Sequence, residues 1–250
     1  MPTVSDKILR IKRSDTVADK IKRLIVDRDL RPDDRLPPEK DLIRQFQSSR
    51  GTIRESLKSL EVQGLIEIIP GRKGGARICP VSISQATQLL ANYFHFQNLS
   101  VTQIYDLRKV IEPMLAESVV GLLQSEDFHS LEESITISSS YLKGESERLA
   151  CRQAELEFHN IIARACPNPY LSFQGRFMNY ILLNFVEFKR FEPHIKQDFA
   201  ASNLKYHTGL IQAYHDEDRS QVRELMVDHM VDAFKYISET EAFFKQGLIP

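Results

Sequence analysis

Residues 34–75 read DRLPPEKDLIRQFQSSRGTIRESLKSLEVQGLIEIIPGRKGG. Pro38 and Glu39 open a short helix, PEKDLIRQF, with Leu42, Ile43 and Phe46 on its apolar face. A polar turn follows, and Ser49 is placed to cap RGTIRESLKSLEVQG, whose Ile53, Leu57 and Leu60 face inward. Gly64 suits the position just past that helix. LIEII and RICP flank the Gly-rich turn PGRKGGA, which makes a hairpin with a basic loop. Upstream, Val17, Ile21, Leu24 and Ile25 repeat at helical spacing from Ser14 to about Asp29, where Pro32, Pro37 and Pro38 interrupt. Three short helices and a two-stranded hairpin within residues 14–80 describe a winged helix-turn-helix. Its third helix offers Arg50, Thr52, Arg54 and Lys58 on the face away from Ile53 and Leu57. Guanidinium and ammonium groups so placed reach guanine edges or phosphates in a major groove. The loop Arg72-Lys73-Gly74-Gly75 can approach a duplex closely, because glycine removes side-chain bulk. The competing reading is a small helical domain with a solvated basic face.

The charge distribution supports two jobs on one chain. Residues 1–80 hold 18 Lys and Arg against 12 Asp and Glu, while residues 81–250 hold 15 against 22. All seven histidines lie in the second part. Residues 1–13 form a basic tail with Lys7, Arg10, Lys12 and Arg13. Composition is that of a globular protein, with 42% hydrophobic and 27% charged residues in a 250-residue chain. No apolar run approaches the roughly 18 residues of a membrane span. MPTVSDKILRIKR lacks the apolar core of a signal peptide, so a cytoplasmic protein without membrane attachment is expected. Cys79, Cys151 and Cys166 have no CxxC spacing and read as reduced thiols.

Residues 81–250 read as all helix, with segments at about 83–97, 101–121, 126–142, 147–165, 170–190, 195–215 and 220–244, and no convincing strand. The expected architecture is therefore mainly α: an N-terminal winged helix-turn-helix and a C-terminal helical bundle.

Within the bundle, AELEFHNII sets Glu155 and His159 four apart, on one helix face and within reach of one ion. His207 and His229 lie on two further helices, and antiparallel packing can bring all four together. Imidazole with carboxylate suits zinc, nickel, manganese or iron. Equally, each histidine reads as an ordinary polar residue. Asn179 and Asn184 interrupt an apolar, aromatic helix, where a buried amide needs partners from a pocket or a neighbouring helix. Arg108, in IYDLRKVIEP, wants an anion: Glu112 one turn on, or a ligand carboxylate.

These residues together carry a resemblance. The 34–75 stretch resembles the winged helix of the GntR family, with its LPSE-x-x-L, its SR-x-x-V/I-RE-A/S-L-x-x-L, its GL pair and its Gly-bearing wing. IYDLRKVIEPMLAESV and ELEFHNIIARACPNPYL are similar to the effector domain of the FadR branch, called FCD, and the likeness runs over about 14–240. Seven helices fit the FadR group better than the six-helix VanR group. The resemblance implies that Lys40, Arg50 and Arg54 contact bases, and that Arg35, Thr52 and the wing at Gly71, Arg72 and Lys73 meet phosphates or the minor groove. It implies Glu155, His159, His207 and His229 as ligands of a divalent metal, zinc or nickel, with Arg108, Asn179 and Asn184 toward an effector. Lys40 stands where the family more often has Arg, Gly51 where it has Thr or Ser, and Glu155 where it has Asp. The implied protein is a homodimeric repressor on a short inverted repeat of double-stranded DNA, released by a small organic acid. Two rivals are a metal-free acyl-CoA sensor and a metal-dependent enzyme.

Overall fold

A computed structural model describes residues 12–71, 74–97, 99–144, 147–188, 193–238 and 242–244. The chain divides into two units between Ala86 and Thr87. All but two of residues 1–13 lie outside the described residues, as do Arg72 and Lys73.

The first unit contains α1 (Arg13–Asp27), α2 (Glu39–Phe46), α3 (Arg50–Val62), β1 (Ile66–Ile69) and β2 (Gly75–Ile78). Val17, Ile21 and Leu24 of α1 meet Leu42 of α2, Ile53, Leu57 and Leu60 of α3, and Ile66 of β1 in one core. Ile21, Leu42, Ile53, Leu60 and Ile66 are at most 1% exposed. Each such side chain stabilises the unit by about 1.5–3 kcal/mol. Ser56 crosses from α3 to α1, its buried hydroxyl donating to the Ser14 carbonyl at 2.7 Å. Ser49 caps α3, its hydroxyl accepting from the Thr52 N–H at 3.1 Å. Gly64, at φ +74°, turns the chain from α3 toward the hairpin. The strands are antiparallel, with Ile66 opposite Ile78 and Ile69 opposite Gly75. Arg35 adds a bridge to Arg77 that the sequence did not suggest. At the wing's tip a Cβ on Gly74 would sit 2.0 Å from the Ile69 carbonyl oxygen, so only glycine closes that turn.

α4 (Ile83–His95) runs across the division. The second unit continues with α5 (Val101–Ser118), α6 (Ser125–Leu142), α7 (Arg148–Ala165), α8 (Pro169–Phe185), β3 (Val186–Phe188), α9 (Pro193–His215), α10 (Arg219–Ser238) and β4 (Ala242–Phe244). Ser100 and Gln103 form a capping box at the start of α5. α5 packs against α8 and α10, and α7 against α6 and α8. A Cβ on Gly175 of α8 would come 2.5 Å from Leu115 Cδ1, so that glycine lets α8 lie close to α5.

The helical expectation needs one correction. The segments expected at 170–190 and 220–244 end at Phe185 and Ser238, and β3 pairs antiparallel with β4, Val186 opposite Phe244. VEF and AFF are β-branched and aromatic, which suits strands. Three residues are too few for a period-2 pattern to stand out from the helical one. The three cysteines are free thiols. No helix among the described residues is long and apolar enough to cross a membrane.

Candidate functional site

Two sets of side chains stand apart, one in each unit. In the first, α3 presents Arg50 and Arg54 one turn apart, both exposed. Glu39, in the first turn of α2, reaches both. Arg54 Nε donates to its two carboxylate oxygens at 3.1 and 3.3 Å, and Arg50 Nε lies 3.6 Å from Oε2. The sequence reading missed Glu39 as an orienting group, although its place in PPEKDL was visible. Thr52 is half-buried, its hydroxyl 2.9 Å from that of Ser49. Lys40 and Arg35 are exposed. Gly71 lies in the wing at φ +103°.

In the second unit, α7, α9 and α10 bring His159, His207 and His229 together, each at most 3% exposed. One ring nitrogen from each lies within 4.8 Å of the others. His229 Nε2 stands 3.1 Å from His207 Nε2 and 3.2 Å from His159 Nε2. Local packing fixes the rings: Phe158 stacks flat on His207, with centroids 3.8 Å apart and planes 4° from parallel. Burial and mutual repulsion push His207 and His229 well below the ordinary imidazole pKa. Burial also lowers His159, against the pull of Glu112. Three neutral imidazoles thus aim Nε2 atoms at one another, and hydrogen bonds among them cannot satisfy every lone pair. A buried cation can. Three imidazoles are a fitting donor set for a borderline divalent ion.

Glu112, on α5, is fully buried and joins this cluster to Arg108. Its Oε2 is 3.1 Å from His159 Nδ1 and its Oε1 accepts from Arg108 Nε at 3.1 Å. Burial opposes its ionisation, but His159 and Arg108 bring its pKa down to about 2. A carboxylate on Nδ1 makes that nitrogen the proton-bearing one, so the lone pair of His159 lies on Nε2. The Arg-x-x-x-Glu spacing pointed to the Arg108–Glu112 pair, while the link to His159 needed the tertiary fold.

Beside the imidazoles lies a cavity with about 740 Å³ of empty space, part of it open to solvent, and Arg108, Arg152, Glu155 and Asn203 are among its lining residues. Arg108 Nη2 is buried there without a hydrogen-bond partner. Glu155 faces the cavity but stands outside the three-histidine group. Burial raises its pKa, against hydrogen bonds from Asn203 and Cys151. Asn179 and Asn184 do not line this cavity. Asn179 is buried and donates to Asn160 on α7 at 3.1 Å, the interhelical alternative. Asn184 is exposed and donates to the Tyr180 carbonyl at 2.9 Å.

Comparison with known proteins follows the same division. The family model described as "Bacterial regulatory proteins, gntR family" matches residues 13–75, and the one described as "FCD domain" matches 103–232. The HTH-type transcriptional repressor NanR of Enterobacter sp. (strain 638) is 24% identical over 245 residues, 96% of this chain and 89% of its own length. The Glc operon transcriptional activator of Escherichia coli (strain K12) is 27% identical over 195 residues, 77% of this chain and 71% of its own. Among solved structures, Streptococcus agalactiae GntR has a TM-score of 0.58 at 20% identity, covering 89% of this chain and 99% of that one, a likeness of fold.

Proposed function

The chain belongs to the GntR family of bacterial regulators in its FCD-bearing form, a DNA-binding transcription regulator and not an enzyme, and from that premise we propose a metal-dependent repressor that senses a small organic acid. Arg50 and Arg54, steadied by Glu39, read bases in the major groove, with Lys40 beside them. Arg35, Thr52 and the wing at Gly71, Arg72 and Lys73 meet the backbone or the minor groove. Two copies bind a short inverted repeat, since two-fold symmetry in the protein calls for two-fold symmetry in the site.

The observation that carries the sensing half is the trio of buried Nε2 atoms next to an unpartnered Arg108 Nη2. We assign His159, His207 and His229 to zinc or nickel, with Glu155 as the fourth protein ligand. A divalent cation so held supplies a Lewis-acidic centre for an oxygen of an anionic ligand. Arg108 then holds the ligand's carboxylate, while Glu112 keeps both Arg108 and His159 in place. A metal-free acyl-CoA sensor would leave the three imidazole lone pairs without a use. Occupancy of the cavity and grip on the duplex are linked reciprocally, and the acid relieves repression only as far as it prefers the DNA-free state. Repression is adopted because NanR, similar over nearly the whole chain, is named a repressor.

The test uses full-length protein purified without a histidine tag. It should retain close to one zinc or nickel per chain by elemental analysis, and select an inverted repeat from a random duplex pool. Organic acids should weaken that binding only when metal is present. Protein that ignores duplex DNA in dilute salt overturns the reading, and an acid response unchanged after chelation overturns its sensing half. On the DNA side, Arg54→Ala should lose about 1–3 kcal/mol of operator binding and relax base preference. Glu39→Ala should lose less, because an exposed ion pair contributes about 0.2–1 kcal/mol. Mobility-shift titrations measure both, and normal binding by Arg54→Ala would move the recognition surface elsewhere.

A further inference from the structure

The side chains of α7 that face the cavity follow a rule. Arg148, Arg152, Glu155 and His159 lie at i, i+4, i+7 and i+11, so one stripe of the helix runs from its first residue to the imidazole cluster. At 1.5 Å per residue, Arg152 stands about 10 Å from His159 along the axis, and Arg148 about 16 Å. The cavity is therefore basic at both ends: Arg108 beside the imidazoles, Arg152 and exposed Arg148 at the start of α7. Three guanidiniums line it against one carboxyl, Glu155, while Glu112 is already engaged by Arg108 and His159. Arg152 donates to the Leu182 carbonyl, which positions the guanidinium without neutralising it. Burial and the neighbouring Arg148 both work against its charge, lowering its pKa although Tyr105 and Glu155 pull the other way. Leu156, Leu182, Phe199, Ala233 and Ile237 supply apolar wall.

On the footing of the acid-sensing reading above, we propose that Arg152, with Arg148 at the rim, forms a second anion subsite, so that the effector is an aliphatic dicarboxylate of about five or six carbons. One carboxylate lies at the imidazole end with Arg108, and the other meets the α7 arginines. The chain between them crosses apolar wall, so a polyhydroxylated diacid of the same length would set hydroxyl groups against hydrocarbon and bind less well. A monocarboxylate would leave the α7 arginines without the charged partner they are arranged to receive.

Calorimetric titration of nickel-loaded full-length protein decides this with matched probes: 2-hydroxyglutarate against 2-hydroxyvalerate, 2-hydroxyadipate against 2-hydroxycaproate, and glucarate as the hydroxylated diacid. Each diacid should bind at least about tenfold tighter than its monoacid partner, and 2-hydroxyadipate tighter than glucarate. Arg152→Leu should remove the diacid advantage and leave monoacid affinity within about twofold of wild type. Arg152→Lys keeps the charge without the planar fork and should give an intermediate ratio, which guards against a folding defect in the leucine variant. Equal binding of diacid and monoacid by wild type, or an unchanged ratio in Arg152→Leu, overturns the second subsite and leaves the acid-sensing reading standing. Failure of all five acids to bind metal-loaded protein overturns that reading, and the subsite with it.

Discussion

His229→Ala is expected to lower affinity for zinc or nickel about a thousandfold. Apparent binding free energies for four-ligand zinc sites run to roughly 10–16 kcal/mol, so one ligand's share is about 3–4 kcal/mol. The loss falls on the site and not on the fold. His229 is buried with Nδ1 unpartnered, so the imidazole contributes little to the folding of metal-free protein. Wild type should gain about 4 kcal/mol from free metal at a thousand times its dissociation constant. His229→Ala should show almost none of that gain while its metal-free melting temperature stays close to wild type. Competition titration against a chromophoric chelator and paired thermal melts measure the two quantities. Retention of wild-type metal affinity would take His229 out of the ligand set, and with it the role of α10 in sensing.

His229 also illustrates what the residues alone disclosed. Its address on a helix followed from periodicity, as did those of His159 and His207. Glu155 and His159 share a helix turn and were paired by spacing, yet the structure groups His159 with the two distant histidines and leaves Glu155 facing the cavity. Spacing fixes a residue's face on its own helix, whereas convergence depends on how neighbouring helices lie. Asn179 shows the same limit, for its amide looked equally suited to a pocket or a neighbour until α7 supplied Asn160. The winged helix was more legible. Its signals are local: Ser49 as cap, Gly64 after α3, and a Gly-rich turn between two β-branched runs. Glu39 escaped because its work is done across 15 positions of chain, on Arg54.

Glu112 is where folding and sensing meet, and its variants separate them. Glu112→Ala should cost about 3–5 kcal/mol of folding stability, because it leaves the charge of Arg108, 2% exposed, without its counter-ion. Glu112→Gln keeps the shape but presents an amide. If its carbonyl accepts from Arg108, its N–H₂ faces His159 Nδ1 and makes that nitrogen an acceptor. The ring proton then moves to Nε2, the atom aimed at His229 and His207. Metal affinity should therefore fall about 10- to 100-fold, the usual loss when the group orienting a ligating histidine is removed. The double variant Arg108→Met with Glu112→Leu discriminates further. Replacing both members of a buried ion pair by apolar groups is often neutral or stabilising, so this chain should regain wild-type resistance to urea. It should not regain metal affinity, because leucine cannot fix the tautomer of His159. Urea denaturation of metal-free protein and chelator competition on all three variants give the two readouts. Recovery of metal affinity in the double variant would mean that Glu112 serves Arg108 alone, and that His159 is oriented by packing.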